Sequence, residues 1–286
     1  MQKTFLYIFL LFTIIGNSQK LTPESQQTLD DIVQNHASKV PEGRWFPLEN
    51  VDGSRSYYNA NGILKLHTPY EALGFFNDGL AYFIENGKTG YIDRTGKVII
   101  KPIFKAGNDF EDGRAMVFDT DENHIMNKSG FIDKTGKMIV PFDAFDLLEN
   151  FSNDLAVVIK DGKNGYIDKQ GLVVIPLQFE SAGPFSANGL ALVRRKKLAS
   201  EDSNNQGKYG YINKLGEVII DYKYGHAQSF ENGYARVWDN RDLKDLSSGY
   251  FIDSKGHSYR RQPDGYMYET DLQGNTYKLD GNGKRL

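Results

Sequence analysis

The sequence predicts an all-β protein made of tandem repeats of short antiparallel meanders, with one short N-terminal helix. The first observation is a motif, Tyr/Phe-Ile-Asp/Asn-x-x-Gly, that occurs five times in 286 residues. The second is a composition rich in strand-forming aromatics, with 17 Tyr and 18 Phe beside 2 Trp. The third is the spacing, because a near-regular period is typical of repeat architectures. The aromatic residue of the motif is Tyr91, Phe131, Tyr166, Tyr211 and Phe251, at steps of 40, 35, 45 and 40 residues.

Composition and charge exclude several classes of protein. The apolar and charged fractions, 40% and 25%, are ordinary for a folded globular chain and argue against disorder. A net charge of −3 gives no bulk attraction to nucleic acid or to an anionic membrane, so we expect neither partner. The absence of Cys removes disulfides and also the lipidated Cys of a lipoprotein.

The first 18 residues have the pattern of a secretory signal peptide. Lys3 supplies the positive charge, residues 5–15 form the apolar stretch, and Gly16 and Ser18 are the small residues before the predicted cut. This apolar stretch is too short for a membrane-spanning helix, which needs roughly 20 residues. We therefore expect export to the periplasm, the cell surface or the medium, with no membrane span after cleavage.

Residues 19–56 are predicted to form an N-terminal helix and cap. Thr22 suits the N-cap position and Pro23 the first helical position. Pro41 and Gly43 are expected to end the helix. The apolar stripe, predicted to pack on the first repeat, is Leu29, Ile32, Val33 and His36 or Ala37.

Residues 57–257 are the predicted repeat array, with about five clear copies and a degenerate first one. Each copy has the pattern of three short strands joined by turns, followed by an irregular crossover. Pro102, Pro141 and Pro176 are expected just after the third strand, where a missing N–H ends strand pairing. Residues 258–286 are expected to form a turn-rich β cap. The array is predicted to be open and solenoid-like, with a propeller-like ring as the alternative.

One copy, GKNGYIDKQGLVVIPLQFESAGPFSANGLALV, resembles the WG (KWG) repeat, and the resemblance extends over residues 57–256. The family implies a tandem all-β array, often on exported bacterial proteins, with no established enzymatic activity. The fourth copy departs from the pattern with Asp221 in place of the expected Pro. The Trp that names the repeat is replaced in every copy, by Thr89, Ser129, Asn164, Tyr209 and Ser248.

The recurring acidic residue and glycine of the motif are predicted to build turns. The Asp or Asn accepts backbone hydrogen bonds and the Gly supplies positive φ. Asn213 suits this role, because its amide oxygen is also an acceptor, and it does not suit a catalytic carboxylate. The alternative is a row of carboxylates along the array that bind cations or act as acid and base. The predicted turn pairs are Asp93 with Gly96, Asp133 with Gly136, Asp168 with Gly171, Asn213 with Gly216, and Asp253 with Gly256. The motif aromatics are expected in the core, with an exposed sugar-binding platform as the alternative.

Three copies carry a longer first hairpin, at residues 115–131, 191–211 and 235–251. Equivalent loops of a repeat array project from one face, and variable loops there commonly bind a partner. Tolerated, solvated insertions are the alternative. The candidate binding residues are Asp119, Asp121, Arg194, Arg195, Lys196, Lys197, Trp238 and Arg241.

No catalytic or zinc-binding motif occurs in the sequence, and we expect no cofactor. Asp119, Asp121 and Asn123 match three positions of a calcium loop, but the required Gly and Glu are missing. The alternative to no cofactor is therefore weak calcium binding at these three residues. The prediction is an exported, monomeric, non-enzymatic repeat scaffold that binds a protein or glycan partner through its hairpin loops. A carbohydrate-binding module with exposed aromatics and a secreted hydrolase are the alternatives.

Overall fold

The structure is a computed structural model and describes residues 20–120, 126–197, 207–239, 249–281 and 283–286. Within these ranges the chain forms six antiparallel sheets, which confirms the predicted all-β fold of short meanders. It divides into two compact units, residues 1–144 and 145–286. Among the helices in the described ranges, none is long and apolar enough to cross a membrane.

The first unit contains the predicted helix and three sheets. The helix α1 (Pro23–Asp31) continues as a π-turn (Ile32–His36) and a 3₁₀ turn (Ala37–Lys39). The first sheet is β1 (Trp45–Glu49), β2 (Arg55–Asn59) and β3 (Leu64–Thr68). The second is β4 (Ala72–Leu73), β5 (Leu80–Glu85), β6 (Lys88–Asp93) and β7 (Val98–Phe104). The third is β8 (Ala106–Gly107), β9 (Arg114–Thr120), β10 (Met126–Asp133) and β11 (Met138–Val140).

The second unit contains three further sheets, each again a meander. The fourth sheet is β12 (Leu147–Ser152), β13 (Leu155–Lys160), β14 (Lys163–Ile167) and β15 (Val173–Phe179). The fifth is β16 (Ser181–Phe185), β17 (Ala191–Arg194), β18 (Tyr209–Ile212) and β19 (Val218–Tyr224). The sixth is longer, with β20 (His226–Ala227), β21 (Tyr234–Trp238), β22 (Tyr250–Asp253), β23 (Ser258–Arg261), β24 (Met267–Thr270) and β25 (Thr276–Lys278).

The start of α1 is as predicted, and its C-terminal half is not. Thr22 Oγ1 accepts a hydrogen bond from the N–H of Ser25 at 3.2 Å, which confirms the N-cap. Leu29 packs with residues of the first sheet in a small core cluster. Val33 and His36, however, are exposed, and the side chain of Ala37 lies outside the described part. The π-turn from Ile32 onward explains the error, because it abandons the 3.6-residue period on which the predicted stripe depended.

Successive sheets within a unit pack through a tyrosine of one repeat and a phenylalanine of the next. Tyr91 is fully buried, its ring lies 4.9 Å from that of Phe110, and its hydroxyl donates to the Asn108 carbonyl at 2.8 Å. Each such tyrosine satisfies its buried O–H on the following copy, so one side chain supplies both packing and orientation. The four inter-repeat tyrosines, with their phenylalanine partners, are Tyr57 (Phe76), Tyr91 (Phe110), Tyr166 (Phe185) and Tyr211 (Phe230).

Pro102 and Pro176 lie inside the outer strands β7 and β15, which corrects the prediction that they follow the third strand. In the second sheet Tyr91 pairs with Ile100 and Thr89 pairs with Phe104, so three residues of β7 face one residue of β6. Pro102 is the middle residue of this bulge, where its missing N–H costs no ladder bond. Pro141 follows β11 as predicted.

Alkaline pH is expected to destabilise the array because the inter-repeat tyrosines are buried. Burial raises the pKa of Tyr57, Tyr91, Tyr166 and Tyr211 well above the ordinary value of 10.0. Their contribution to stability is complete below pH 10.0. Above it the unfolded chain releases protons that the folded chain retains, so the free energy of unfolding falls as pH rises. Urea unfolding between about pH 8 and pH 11 measures this slope. A constant stability over that range, or an unchanged slope in Tyr166→Phe, would contradict the prediction.

Candidate binding cleft

The acidic residue and glycine of each motif lie in a hairpin turn between two strands, as predicted. Asp133 Oδ1 accepts hydrogen bonds from the N–H groups of Thr135 at 2.8 Å and Lys137 at 3.1 Å. Gly136 has φ 85°, and its N–H donates to the Asp133 carbonyl at 2.9 Å. Asp93, Asp168, Asn213 and Asp253 each accept the same two backbone hydrogen bonds.

The other four motif glycines are also turn residues with positive φ. The values are 83° at Gly96, 81° at Gly171, 81° at Gly216 and 87° at Gly256. In each turn the glycine N–H donates to the carbonyl of the Asp or Asn three residues earlier. Among the described residues, no group of three or more His, Asp or Glu side chains is placed to hold a metal ion. The motif residues therefore form five equivalent hairpin turns.

Gly136→Ala is expected to lower the free energy of unfolding by roughly 1–2 kcal/mol, because its φ is positive and disfavours any side chain. The added Cβ would also lie 3.1 Å from Ile100 Cγ2 of the preceding sheet. Asp133→Ala, which removes the turn acceptor, should cost about 1 kcal/mol. Asp133→Asn is the matched control and should be nearly neutral, since Asn213 accepts the same two bonds. A urea melt in which Gly136→Ala is neutral would contradict the turn assignment.

The residues predicted to form a loop face are only partly described, and several of the described ones already have partners. Asp121, Asn123 and Arg241 lie outside the described residues. Asp119, which pairs with Lys128 across the hairpin, accepts a hydrogen bond from the N–H of Thr120 at 2.8 Å. The calcium alternative, which also needs Asp121 and Asn123, therefore stays a prediction.

The basic run Arg194 to Lys197 is not a row of four equivalent cations. Arg194 Nε lies 3.3 Å from Glu180 Oε2 in an ion pair. The Arg195 guanidinium lies over the ring of Tyr222, 5.8 Å from its centre. Lys196 is exposed and Lys197 is half-buried.

Trp238 was predicted to lie on an exposed binding face, and this prediction is wrong, because the side chain is buried at 4% exposure. The indole packs against His226, with ring centres 5.2 Å apart, and the Arg236 guanidinium lies 5.0 Å from its centre. The reason for its burial lies across the hairpin. A Cβ at position 249 would lie 2.5 Å from the indole. Because Gly249 has no side chain, the Trp238 ring occupies that space.

A cleft of about 730 Å³ opens on the sixth sheet, in the second unit. Its apolar floor is formed by Tyr234 of β21, Phe251 of β22, Tyr259 of β23 and Met267 of β24. Phe251 and Tyr234 are 46% and 47% exposed. The rings of Tyr234 and Tyr259 are nearly perpendicular, with centres 5.4 Å apart. Three aromatic side chains on adjacent strands thus share one concave surface.

The exposure of Phe251 corrects the prediction that every motif aromatic fills the core. Phe251 pairs with Arg236 as Tyr211 pairs with Leu192, so the two aromatics occupy the same register. Tyr211, however, is covered by Phe230 of the next copy. After Phe251 the chain adds β23, β24 and β25 to the same sheet instead of starting another copy. The ring therefore faces the cleft.

The rim of the cleft is polar and carries both signs of charge. Glu269 lies at the base, at 8% exposure, and both of its carboxylate oxygens accept hydrogen bonds from Arg285 at 2.8 Å. The Arg285 guanidinium lowers the pKa of Glu269, so this carboxylate is charged at neutral pH. His257 Nδ1 lies 3.1 Å from Glu269 Oε1. The remaining polar lining is Gln228, Ser229, Glu231, Asn232, Arg236 and Asp280.

This arrangement suits binding, because an aromatic floor can contact an apolar ligand surface and a polar rim can fix the orientation of the ligand. Sequence reasoning missed the cleft because β23 and β24, which complete it, lie where the repeat decays. One signal was present. Tyr250 occupies the position that is Gly90, Gly130, Gly165 and Gly210 in the other copies. This register places Gly249 at the position named for Trp and corrects its assignment to Ser248.

Comparison with known proteins identifies the repeat. A model described as the WG-containing repeat matches residues 90–119, 130–163, 165–198 and 209–237. No curated protein matches the chain.

Several solved structures are similar at low identity. A eukaryotic initiation factor is 11% identical with a TM-score of 0.46, over 85% of this chain and 72% of that one. BamB from Moraxella catarrhalis is 12% identical with a TM-score of 0.36, over 84% and 77%. Hsv2p from Kluyveromyces lactis is 10% identical with a TM-score of 0.37, over 86% and 91%. The four matched copies, each with the turn and strand geometry described above, identify these four segments of the chain as WG-containing repeats.

Proposed function

We propose that this chain is an exported scaffold that binds a protein or glycan partner and catalyses no reaction. The observation that carries the proposal is the cleft on the sixth sheet. Two large aromatic side chains, Phe251 and Tyr234, are about half exposed there side by side. Exposed aromatic surface within a concave, polar-rimmed site is characteristic of ligand binding.

The polar groups of the cleft support binding over catalysis. A general acid and base need differently tuned groups that can reach a substrate. Glu269 is instead held by Arg285 through both oxygens and by His257. Such a network positions side chains and leaves no carboxylate oxygen of Glu269 without a partner. The hydrolase alternative would need catalytic groups beyond this network.

The three longer hairpins stay in the proposal as a second contact region. Their central residues lie outside the described part, so support for them comes from the sequence alone. The described basic residues Lys196 and Lys197 lie in the longest of these hairpins, just before its central residues. Shortening residues 198–206 tests this region separately from the cleft.

Export is supported by the pattern of residues 1–18 and has its own test. Fractionation of cells that express the full chain should recover it outside the cytoplasm. The recovered protein should begin at Gln19, as read by N-terminal sequencing. Recovery in the cytoplasm with the first 18 residues intact would contradict export.

Partner binding is tested by capture from a bacterial envelope extract with the full mature chain. The variants are a double mutant in the cleft (Phe251→Ala with Tyr234→Ala), the 198–206 deletion in the loop, and Tyr266→Ala as a control. Tyr266 is 46% exposed, and its side chain is not part of the cleft lining. We expect the cleft variant to lose its partner and Tyr266→Ala to retain it. Equal recovery by wild type, cleft variant and loop variant would contradict the proposal.

A further inference from the structure

We infer that the ligand of the cleft is a neutral oligosaccharide. The inference rests on the proposed binding function and names the chemistry of the partner. It is argued from the position of the aromatic rings, the balance of charge, the polar groups of the rim and the size of the cleft.

The aromatic rings form one surface because strand register aligns them. Arg236 pairs with Phe251, Phe251 with Tyr259, and Tyr259 with Glu269, so these side chains form one row across four strands. Residues directly opposite each other project from the same face of a sheet. Tyr234 lies two residues before Arg236 and therefore shares that face. Phe251 and Tyr234, each about half exposed on this face, can pack against the C–H faces of sugar rings, which favour the electron-rich faces of aromatic side chains.

The charges of the cleft are nearly balanced, which favours a neutral ligand. The negative charge of Glu269 is balanced by Arg285, which donates two hydrogen bonds to the carboxylate at 2.8 Å. Glu231 and Asp280 are negative, and Arg236 on the same surface is positive. A cleft that recruits a charged polymer carries a field of one sign, and this one does not. Acidic polysaccharides and basic peptides are both disfavoured.

The rim also offers groups suited to hydroxyls. Gln228 and Asn232 carry amides, and Ser229 carries a hydroxyl; these three residues line the cleft beside the aromatic floor. An amide side chain both donates and accepts hydrogen bonds, and so does a hydroxyl. A sugar presents the same mixture on neighbouring carbons. The rim therefore matches a polyol better than it matches a carboxylate or an ammonium group.

The size of the cleft favours a glycan over a protein surface as the ligand. A volume of about 730 Å³ falls within the range of about 300–1,000 Å³ that is typical of small-ligand sites. A stable protein partner needs a contact area of about 800 Å² on each side. A short segment of an oligosaccharide fits the cleft, with its remainder outside.

The test is isothermal titration of the full mature chain with soluble hexasaccharides. The neutral probes are cellohexaose, maltohexaose and chitohexaose, and hexagalacturonate is the charged comparison. The variants are Phe251→Ala and Tyr234→Ala, with Phe251→Tyr as the variant that keeps a ring and Tyr266→Ala as the control outside the cleft. Thermal melts of each variant show that it is folded.

We expect at least one neutral probe to bind the wild type, Phe251→Tyr and Tyr266→Ala with similar affinity. Phe251→Ala and Tyr234→Ala should each weaken it about tenfold or more. The inference is overturned if no neutral probe binds at millimolar concentration, if hexagalacturonate binds more tightly, or if Tyr266→Ala weakens binding as much as Phe251→Ala.

Comparison with the envelope capture separates the two proposals. If sugars do not bind but the cleft variant still loses a captured protein, the proposed function stands and the glycan inference fails. If neither sugar binding nor capture depends on the cleft, both fail.

Discussion

Tyr166→Ala is expected to lower the free energy of unfolding by about 3–5 kcal/mol, the cost typical of truncating a large buried aromatic side chain. Tyr166 is fully buried in the second unit, and its ring centre lies 4.9 Å from that of Phe185. Its hydroxyl donates to the Gly183 carbonyl at 2.8 Å. Truncation thus removes the ring that joins the fourth and fifth sheets and leaves that carbonyl without its donor.

Two variants divide this effect into its parts. Tyr166→Phe keeps the ring and removes the hydrogen bond, so it should cost only about 1–2 kcal/mol. Phe131 already occupies the same motif position without a hydroxyl and is buried at 3% exposure. Tyr266→Ala, at an exposed tyrosine, should be nearly neutral. Urea unfolding measures all three, and an equal loss for Tyr166→Phe and Tyr166→Ala would contradict the role given to the ring.

Gly165→Ala is expected to lower the free energy of unfolding by about 2–3 kcal/mol, because backbone atoms occupy the space a Cβ needs. The bulge of β15 crosses directly over Gly165. An added Cβ would lie 2.7 Å from the Ile175 carbonyl oxygen and 2.9 Å from the Leu177 nitrogen. Neither atom belongs to a side chain that could rotate away, so the strands themselves must shift.

Gly183→Ala is the matched control in the same unit. Its added Cβ would meet Ser229 Oγ at 3.5 Å and the Leu192 oxygen at 3.7 Å, which are ordinary contacts. We expect a change within about 0.5 kcal/mol for this variant. If Gly165→Ala unfolds at the same urea concentration as Gly183→Ala, the close approach of the bulge is not what requires glycine in this motif.

The missing Trp of the repeat can be understood from the same bulge. Thr89 and Asn164 occupy its position in two copies, and they are buried at 2% and 6% exposure. Asn164 Nδ2 lies 3.4 Å from the Phe179 carbonyl at the end of the bulged strand. In these copies a small polar side chain therefore lies beneath the outer strand at the position named for Trp.

Local features of the fold could be predicted from the sequence because their causes are local. Thr22 caps its helix and Asp133 closes its turn through atoms only a few residues away. The meander of each copy follows from alternating apolar residues between turn signals. The bulge at Pro102 could not be predicted, because proline indicates a missing donor and does not indicate whether the strand ends or bends there.

The site could not be predicted because it depends on neighbours that are distant in sequence. Trp238 is covered because Gly249, beyond the hairpin, has no side chain. Phe251 is exposed because no further copy supplies a phenylalanine to cover it. Glu269 is anchored by Arg285, 16 residues away, in a part of the chain without a repeat pattern. Periodicity describes what the copies share, and this cleft forms where they differ.

The most direct test of the central claim is photo-cross-linking at the rim of the cleft. A photoreactive side chain is placed at Asn232, an exposed residue of the cleft lining, and in a second protein at Tyr266 as the control. Each full-length protein is irradiated in intact bacterial cells that express it. The mass of the recovered protein then shows whether a partner has been attached. A partner adduct at position 232 with none at 266 is the predicted result. Equal adducts at both positions, or an adduct at 266 alone, would contradict binding at the cleft.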